Sequence, residues 1–486
     1  MIETPTVDWL ALAPVLALLG AAGVALLGSV LVPASLSRGF GAIIAFAGFI
    51  TAAVLAGVVF AETSGPRALL DESMTRDRLG ALAAVILAGV GALAVLVSWG
   101  ETRRDHAGEY YALLAAAGAG MVFFVTASNL LTLFLGLEWF SIALYILCAL
   151  DTHRETSLES GLKYLIVGSF GSAILLFGSA LVYGATGELG FSEIAAAGVD
   201  DELLLAGLAM IVAGLGFKAS AAPFHMWTPD VYQGAPTSVT AFMAAATKVA
   251  ALVLTLRILT VAFPEQEDLW TVAIAAIAVA SLVVGNLAAL VQRDLKRLLA
   301  YSSVSHAGFM LIAVAANNPL GGRALLYYLI PYAAMSIGAF AVVAAREREL
   351  GVPVTLDNLG GLGWERPFLG IAMWVFMLGF MGLPLTGGFV GKFYVFSAAY
   401  ERGWTWLVIV GVVATAVSLY YYLNVVRALY MRTDAVLHPV VAGGSPPRDP
   451  LLVSAVALSL AVTVGSFIFV QPLIDLARDA ASALPL

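Results

Sequence analysis

Four ionisable side chains lie inside stretches of sequence that are otherwise apolar. They are Glu138 in LLTLFLGLEWFSIALYIL, Lys218 in AGLGFKASAAPFHMW, Lys248 in VTAFMAAATKVAALVL and Lys392 in GLPLTGGFVGKFYVF. A charge near the centre of a bilayer costs roughly 2.5–3.5 kcal/mol on insertion scales, so such residues usually mark a path for ions or protons. Burial favours the neutral form of a lysine, and a nearby carboxylate favours the charged form. A Glu–Lys pair is therefore a switch, and the two further lysines favour proton movement over a static ion pair.

A histidine with neighbouring hydroxyl groups extends this set. His306 follows Ser302 by four residues in LLAYSSVSHAGFM, which places both on one face of a helix. Tyr301 and Ser305 form an adjacent polar pair. Because imidazole exchanges protons near neutral pH, we predict that His306 relays protons rather than only bonding within the core.

Three further basic residues lie near the ends of apolar segments. His225 is either a proton-uptake group or an interfacial anchor beside Trp227. Lys163 and Arg257 are expected to extend their long side chains to the two membrane surfaces. Lys163 stays a secondary candidate for the relay, as does His225.

Composition places the chain among membrane proteins. It is 61% hydrophobic and 12% charged, with a mean hydropathy of +0.95, whereas soluble domains carry about 25% charged residues. The one cysteine, Cys148, excludes a disulfide framework. No phosphate-binding loop, nucleophilic triad or set of metal ligands is visible, so redox chemistry coupled to this chain must occur in another protein.

Apolar segments of about 20 residues can each span a bilayer as a helix. The sequence predicts an all-α polytopic protein with about fourteen spans: 8–31, 40–60, 79–99, 109–127, 129–150, 160–184, 203–226, 238–261, 269–290, 298–315, 324–345, 368–396, 404–426 and 451–471. The first segment lacks a basic leader and a cleavage site, so we expect a retained helix.

The distribution of Lys and Arg between the loops predicts the orientation. The loops after odd-numbered spans hold thirteen: Arg38, Arg103, Arg104, Arg154, Arg293, Lys296, Arg297, Arg346, Arg348, Arg366, Arg427, Arg432 and Arg448. The loops after even-numbered spans hold five: Arg67, Arg76, Arg78, Arg323 and Arg402. The odd loops are therefore expected to be cytoplasmic, and both termini are expected to lie outside. We expect the same outer position for the acidic loop around Glu188, Glu193, Asp200, Asp201 and Glu202.

Helix breakers interrupt two of the predicted spans. Pro223 lies in the seventh span, and Pro384 with Gly387 and Gly388 lies in the twelfth. Irregular backbone at membrane depth is tolerated only where it is buried in protein or lines a wet cavity. The breaks lie five helices apart, which predicts two inverted five-helix repeats, helices 4–8 and 9–13. The expected parts are helices 1–3 (1–105), the first repeat (106–262), the second repeat (263–430) and helix 14 (431–486).

Three motifs resemble those of a known family. The segment FKASAAPFHMWTPDVYQGAPTSVTAFMAAATKVAAL (217–252), the segment RDLKRLLAYSSVSHAGFM (293–310) and the segment GLPLTGGFVGKFYVF (382–396) are similar to the antiporter-like membrane subunits of respiratory complex I. The resemblance covers roughly residues 105–430. The form HMWTPDVYQGAPTSVTAF is most similar to subunits of the N type, rather than L or M.

This resemblance implies a subunit of the membrane arm of a bacterial NADH–quinone oxidoreductase. It implies that Glu138 is the glutamate of helix 5, that Lys218 is its partner on helix 7, and that Lys248 is the connecting lysine. It further implies that His306 is the relay of helix 10 and that Lys392 is the terminal lysine of helix 12.

The resemblance also implies where cofactors and partners belong. No cofactor or metal is expected in this chain, while FMN, iron–sulfur clusters, NADH and quinone are expected in partner subunits. The expected partners are a neighbouring antiporter-like subunit and small membrane subunits in the bacterial cytoplasmic membrane. Two alternatives stay open: a subunit of a multi-subunit cation/proton antiporter, and a non-conducting assembly scaffold.

Overall fold

The computed structural model describes residues 7–100, 106–199, 201–431 and 449–486. Among the residues considered above, Arg103, Arg104, Asp200, Arg432 and Arg448 lie outside the described part, as does the side chain of Arg38. The described residues form nineteen helices and one two-stranded sheet. The predicted all-α polytopic fold class is confirmed.

The helices run in chain order as α1 (Trp9–Leu31), α2 (Ala34–Glu62), α3 (Arg78–Ser98), α4 (Ala107–Val125), α5 (Leu130–Cys148), α6 (Glu155–Thr186), α7 (Phe191–Ala196), α8 (Glu202–Lys218), α9 (Trp227–Gly234), α10 (Thr237–Ala262), α11 (Glu267–Leu290), α12 (Leu295–Ala316), α13 (Pro319–Leu350), α14 (Leu362–Glu365), α15 (Pro367–Met381), α16 (Gly387–Glu401), α17 (Thr405–Tyr430), α18 (Pro450–Ile468) and α19 (Val470–Ala481). The strands β1 (Arg67–Leu69) and β2 (Met74–Arg76) form an antiparallel hairpin between α2 and α3.

Twelve helices of the described chain are long and apolar enough to cross a membrane. They correspond to twelve of the predicted spans, although α6 and α13 extend further than predicted. The two predicted spans that are not among them, 203–226 and 368–396, are those with helix breakers. The structure therefore has an interrupted helix in each of the two places where the sequence predicts an interruption.

The first interruption follows Lys218. Helix α8 ends at this residue, and Ser220 adopts a left-handed backbone conformation with a φ of 58°. The amide of Ala222 then donates to the hydroxyl of Ser281 at 2.8 Å, which replaces the missing helical hydrogen bond. Helix formation resumes at Trp227 in the short helix α9.

The second interruption lies between α15 and α16. Gly382 ends α15 with a φ of 78°, a conformation that glycine adopts without steric cost. Leu385 also has a positive φ, of 76°, before α16 begins at Gly387. Lys392 follows in the second turn of α16, so its side chain lies close to the break.

Helices α10, α12 and α13 form the centre of the bundle. The apolar window of α10 is 100% buried, and those of α12 and α13 are 94% and 89% buried, against 33% for α1 and α2. A helix that is apolar on all sides packs against protein on all sides. Charged or polar side chains on α10 and α12 therefore face protein and not lipid.

Ion pairs join loops that the charge distribution assigns to the same side. Arg76 binds Asp8 at 2.8 Å, and Arg78 approaches Asp479 at 3.8 Å, so both described ends of the chain lie beside the loop between α2 and α3. Arg348, in the last turn of α13, binds Asp449, which precedes α18, at 2.7 Å. These contacts agree with the predicted alternation of the loops.

Helix lengths repeat along the chain in the order that a duplicated unit would produce. Helices α6 and α13 each have 32 residues and precede the two interrupted spans. Helices α10 and α17 each have 26 residues and follow those spans. The two sets fall within the predicted units 106–262 and 263–430, whose inverted relationship stays a prediction.

Several elements of the described chain were not predicted from the sequence: the β1–β2 hairpin, the short helices α7, α9 and α14, and α19. Helix α19 buries Ile474 and Ala477 against the bundle while Arg478 is exposed. Its spacing of buried residues is typical of an amphipathic helix that lies along a surface.

Candidate functional site

Lys218 lies in an aromatic box at the end of α8. The residue is 1% exposed, and its Nζ atom has no hydrogen-bond partner among the described residues. The ring centroids of Phe140 and Tyr164 lie 5.2 Å from Nζ, that of Tyr145 lies 5.7 Å away and that of Phe217 lies 6.0 Å away. Aromatic faces attract a cation at these distances. We call these four aromatic residues the Lys218 box.

Glu138 lies near Lys218 without bonding to it. Its half-buried side chain projects from α5, and its Oε1 atom is buried without a hydrogen-bond partner. The carboxylate is close enough to interact electrostatically with Lys218. Because Lys218 Nζ has no hydrogen-bond partner, the two groups do not form a hydrogen-bonded ion pair in this conformation. Their action as a pair stays a prediction.

Lys248 occupies the middle of the fully buried helix α10. It is 0% exposed, and in the part of the chain that the structure describes its Nζ atom also has no hydrogen-bond partner. The ring of Tyr232, on α9, lies 5.8 Å from this nitrogen. The short helix after the first interruption thus supplies an aromatic face to the second lysine.

His306 is held between two tyrosines in the second half of the chain. Its Nδ1 atom lies 2.8 Å from the hydroxyl of Tyr328, on α13, and its Nε2 atom lies 3.0 Å from the hydroxyl of Tyr422, on α17. Ser302 contacts the same Tyr422 hydroxyl at 2.5 Å. The predicted common face of Ser302 and His306 is therefore confirmed, with Tyr422 joining the two. Such a hydrogen-bonded chain permits proton transfer, since each hydroxyl both donates and accepts.

Lys392 lies at the second interruption. Its Nζ atom donates to the carbonyl oxygens of Phe380 at 2.9 Å and Met381 at 3.1 Å, at the C-terminal end of α15. The same nitrogen lies 4.2 Å above the ring of Phe309. Carbonyl groups at a helix C-terminus carry partial negative charge, so this position suits an ammonium group.

The polar residues follow one another through the protein interior. His306 is close enough to interact electrostatically with both Lys248 and Lys392. The ring of His306 also lies 5.1 Å from that of Phe380, whose carbonyl binds Lys392. The structure therefore brings His306 between two of the lysines, as its place in the sequence suggests.

His225 and Lys163 lie apart from this buried series. His225 is half-buried after the first interruption, and its ring lies 6.4 Å from that of Tyr301. Lys163 is exposed and pairs with Glu159 at 2.7 Å and with Asp230 at 3.1 Å. This arrangement agrees with the prediction that Lys163 reaches a membrane surface.

The expectation for Arg257 is wrong. Arg257 does not extend to the surface but is 4% exposed and binds Asp77 through two nitrogens, at 2.5 and 3.0 Å. Asp77 precedes α3 and also accepts from the amide of Gly80 at 2.7 Å. Sequence reasoning missed this pair because the partners are separated by 180 residues.

The aromatic partners of the ionisable residues were also missed. These partners are fully buried tyrosines, each 0% exposed: Tyr164, Tyr232, Tyr328 and Tyr422. For Tyr164, Tyr328 and Tyr422, the position of a tyrosine inside a predicted apolar span was the available signal, because a buried hydroxyl usually needs a polar partner. Tyr232 lies between two predicted spans and carried no such signal.

Comparison with known protein families identifies related chains. The family profile described as "NADH:quinone oxidoreductase/Mrp antiporter, TM" matches residues 127–418. A curated relative named NADH-quinone oxidoreductase subunit N, from Salinibacter ruber, is 43% identical over 397 residues, which cover 79% of each chain. The relative named subunit N 2 from Roseiflexus castenholzii is 38% identical and covers 98% of this chain and 97% of its own.

Solved structures show the same architecture. A chain of respiratory complex I from Thermus thermophilus is 32% identical, with a TM-score of 0.80 and coverage of 96% of this chain and 99% of that chain. A chain of the Mrp complex from Dietzia sp. DQ12-45-1b has a TM-score of 0.84 at 21% identity, with 98% of both chains covered, and shows the fold alone. The predicted resemblance is confirmed, and the chain belongs to the NADH:quinone oxidoreductase/Mrp antiporter family of membrane proteins.

Proposed function

We propose that this chain is a proton-translocating subunit of the membrane arm of an NADH–quinone oxidoreductase. Its curated relatives at about 40% identity carry the name subunit N of that enzyme. The observation that carries the proposal is the buried series of Lys218, Lys248, His306 and Lys392, each at most 3% exposed. Buried ionisable groups are costly in a membrane protein and usually mark a path for ions or protons.

Within this function we assign a role to each residue. Glu138 and Lys218 form the switch: when the carboxylate approaches, the ammonium is stabilised, and when it withdraws, Lys218 releases its proton. Lys248 and His306 carry the proton between the two halves of the chain. Lys392 ends the series, and from there the proton leaves or passes to a neighbouring subunit. His225 and Lys163 remain secondary candidates at the cytoplasmic end.

Unpartnered polar atoms support a hydrated path between the first two lysines. The side chains of Ser220, Thr228 and Tyr232 each have a buried oxygen for which the described residues offer no hydrogen-bond partner. They belong to the interruption after Lys218 and to α9, whose Tyr232 faces Lys248. Buried polar groups usually bind water where the protein offers no partner, and water also conducts protons.

The partners and the placement in the membrane belong to the same proposal. FMN, iron–sulfur clusters, NADH and quinone are held by other subunits of the enzyme. The face of α5 that carries Glu138 also carries the exposed residues Leu131, Leu135 and Ile142, so we propose that a neighbouring membrane subunit covers it. The chain lies in the bacterial cytoplasmic membrane, with both termini outside and with the four parts 1–105, 106–262, 263–430 and 431–486.

Two other functions are less well supported. A subunit of a cation/proton antiporter would share this fold, but the compared Mrp chain is only 21% identical. A scaffold would need its buried polar residues for packing, yet Lys218 and Lys248 have no hydrogen-bond partner to hold helices together.

The test is proton pumping by the native complex. Purification through a tag on this chain should recover NADH-dependent quinone reduction together with the flavin and iron–sulfur subunits. Glu138→Gln should then reduce pumping strongly, and Glu138→Asp should reduce it less because the carboxylate remains. A complex without NADH oxidation, or equal pumping by both variants and the wild type, would contradict the proposal.

A further inference from the structure

The ammonium group of Lys218 is surrounded by aromatic rings and does not contact a hydrogen-bond acceptor. Its Nζ atom has no hydrogen-bond partner, although the Glu138 carboxylate lies within electrostatic range. A buried charge without an acceptor is unfavourable unless some other group stabilises it. The four rings of the Lys218 box are the groups in position to do so.

The box is built by close packing of its members. The rings of Tyr164 and Tyr145 meet edge to face at 4.7 Å and 85°, and Tyr164 also stacks on Trp227 at 4.6 Å and 7°. Gly171, on α6, makes room for the box, because a Cβ atom there would lie 2.8 Å from Cδ1 of Phe217. The orientation of the rings is therefore set by three helices and does not depend on Lys218 alone.

The hydroxyl groups of the box do not fix its geometry. The Oη atoms of Tyr145 and Tyr164 are buried and have no hydrogen-bond partner within the described part of the chain. The ring faces and edges, and not the hydroxyls, therefore set the shape of the site. The charged and titratable groups near Nζ are Glu138 and the two tyrosines.

We propose that the Lys218 box is a second binding position for the ammonium form of Lys218, occupied while Lys218 is apart from Glu138. The proton stays on Nζ in this position, because an aromatic ring attracts the cation but does not accept its proton. The box thus delays the release of the proton from Lys218 until the path toward Lys248 can accept it. Its four members are positioning residues that act through Lys218, and the inference rests on the function proposed above.

The test replaces Tyr164 by phenylalanine and then by mono-, di- and trifluorinated phenylalanine in the intact complex. Fluorine withdraws electron density from the ring face and weakens its attraction for a cation while the ring shape is almost unchanged. Tyr164→Phe is the reference for the series, because it keeps the ring and removes only the hydroxyl. Pumping at equal complex content should then fall stepwise with each fluorine, to about 5- to 30-fold below Tyr164→Phe.

Matched variants separate this role from packing and from the wider proposal. Tyr164→Leu should lose pumping, whereas Phe124→Leu, which removes a buried ring that touches Phe140 at 5.4 Å but not Lys218, should retain it. A flat fluorine series, with equal pumping by Tyr164→Phe and its fluorinated forms, would overturn the box. Lys218→Ala is measured alongside: if it pumps normally, the function assigned to Lys218 fails as well, whereas a flat series with an inactive Lys218→Ala refutes the box alone.

Discussion

The Nζ atom of Lys392 lies 2.9 Å from the carbonyl oxygen of Phe380, across the break between α15 and α16. The last carbonyl groups of a helix have no partner within that helix and need one from elsewhere. Lys392 supplies it from the following helix, and Gly382 provides the turn that brings the two together. The residue that we place at the end of the relay thus also stabilises the interruption on which it depends.

Substitution of Lys392 separates these two contributions. Lys392→Arg should keep the hydrogen bonds to α15 but not relay, because a guanidinium group effectively never releases its proton. Lys392→Met should lose both the hydrogen bonds to α15 and the proton relay. We expect both variants to pump at least about tenfold more slowly than the wild type, with lower thermal stability in Lys392→Met only. Pumping by Lys392→Arg at the wild-type rate would reject Lys392 as a proton carrier.

Removal of the Lys218 charge should abolish pumping without weakening the fold. Lys218→Met keeps a similar volume, and the ammonium that it removes has no hydrogen-bond acceptor. Replacement of a buried charge by a well-packed apolar group is often neutral or stabilising. The measurements are proton pumping and thermal unfolding of the complex, with Arg293→Met as the control, since Arg293 is 80% exposed in its pair with Asp357. A strongly destabilised Lys218→Met would indicate a structural role instead.

Neighbouring tyrosines on α17 give a matched test of the His306 relay. Tyr422 contacts both His306 and Ser302, whereas Tyr421 donates to Asn286 at 2.9 Å. Removal of either hydroxyl should cost about 1 kcal/mol of stability. Only Tyr422→Phe should also lower pumping, by roughly tenfold, because it interrupts the chain of hydroxyls. Equal pumping by Tyr422→Phe and Tyr421→Phe would place proton transfer elsewhere.

The buried pair Asp77–Arg257 should matter for stability and not for pumping. Asp77→Leu leaves Arg257 charged and without its carboxylate partner, which typically costs about 3–5 kcal/mol. The double variant Asp77→Leu/Arg257→Leu removes both charges and should recover most of that loss. Thermal unfolding of the two variants, with pumping per assembled complex, checks this. A double variant that is less stable than the single variant would show that more than charge pairing is involved.

A cluster of charged residues at the surface predicts how the stability of the protein around α9 depends on pH. Burial alone would raise the pKa of Asp230, but hydrogen bonds from Arg297 and Lys163 hold it below its ordinary value of 3.8. A carboxyl with a lowered pKa adds stability above its unfolded pKa and loses it as the pH falls through the folded pKa. Asp230→Asn should therefore destabilise the protein by about 0.5–1 kcal/mol near neutral pH. The difference from the wild type should shrink as the pH falls below 3.8 and vanish once the carboxyl of Asp230 is protonated in the folded protein.

The control for this prediction is Asp357→Asn. Asp357 is 74% exposed in its pair with Arg293, so its removal should change the unfolding temperature less at every pH. An Asp230→Asn effect that persisted in acid would contradict the ionic origin of the stabilisation.

The sequence by itself determined the class, the spans and the interruptions. These depend on local properties: a bilayer requires about 20 apolar residues per helix, and proline removes a backbone hydrogen-bond donor that a helix needs. Lys218, Lys248, His306 and Lys392 were identified for the same reason, because an ionisable residue in an apolar segment is unusual regardless of its neighbours.

Only the tertiary structure decided which groups these residues contact. Tyr422 lies 116 residues from His306, and Asp77 lies 180 residues from Arg257, so neither contact can be read from spacing along one helix. Whether a lysine meets a carboxylate, a carbonyl or an aromatic ring depends on which helix faces pack together. The packing of complete helices in the bundle determines these contacts. In this protein it brings the Lys218 ammonium next to four aromatic rings and leaves it without a hydrogen bond to Glu138.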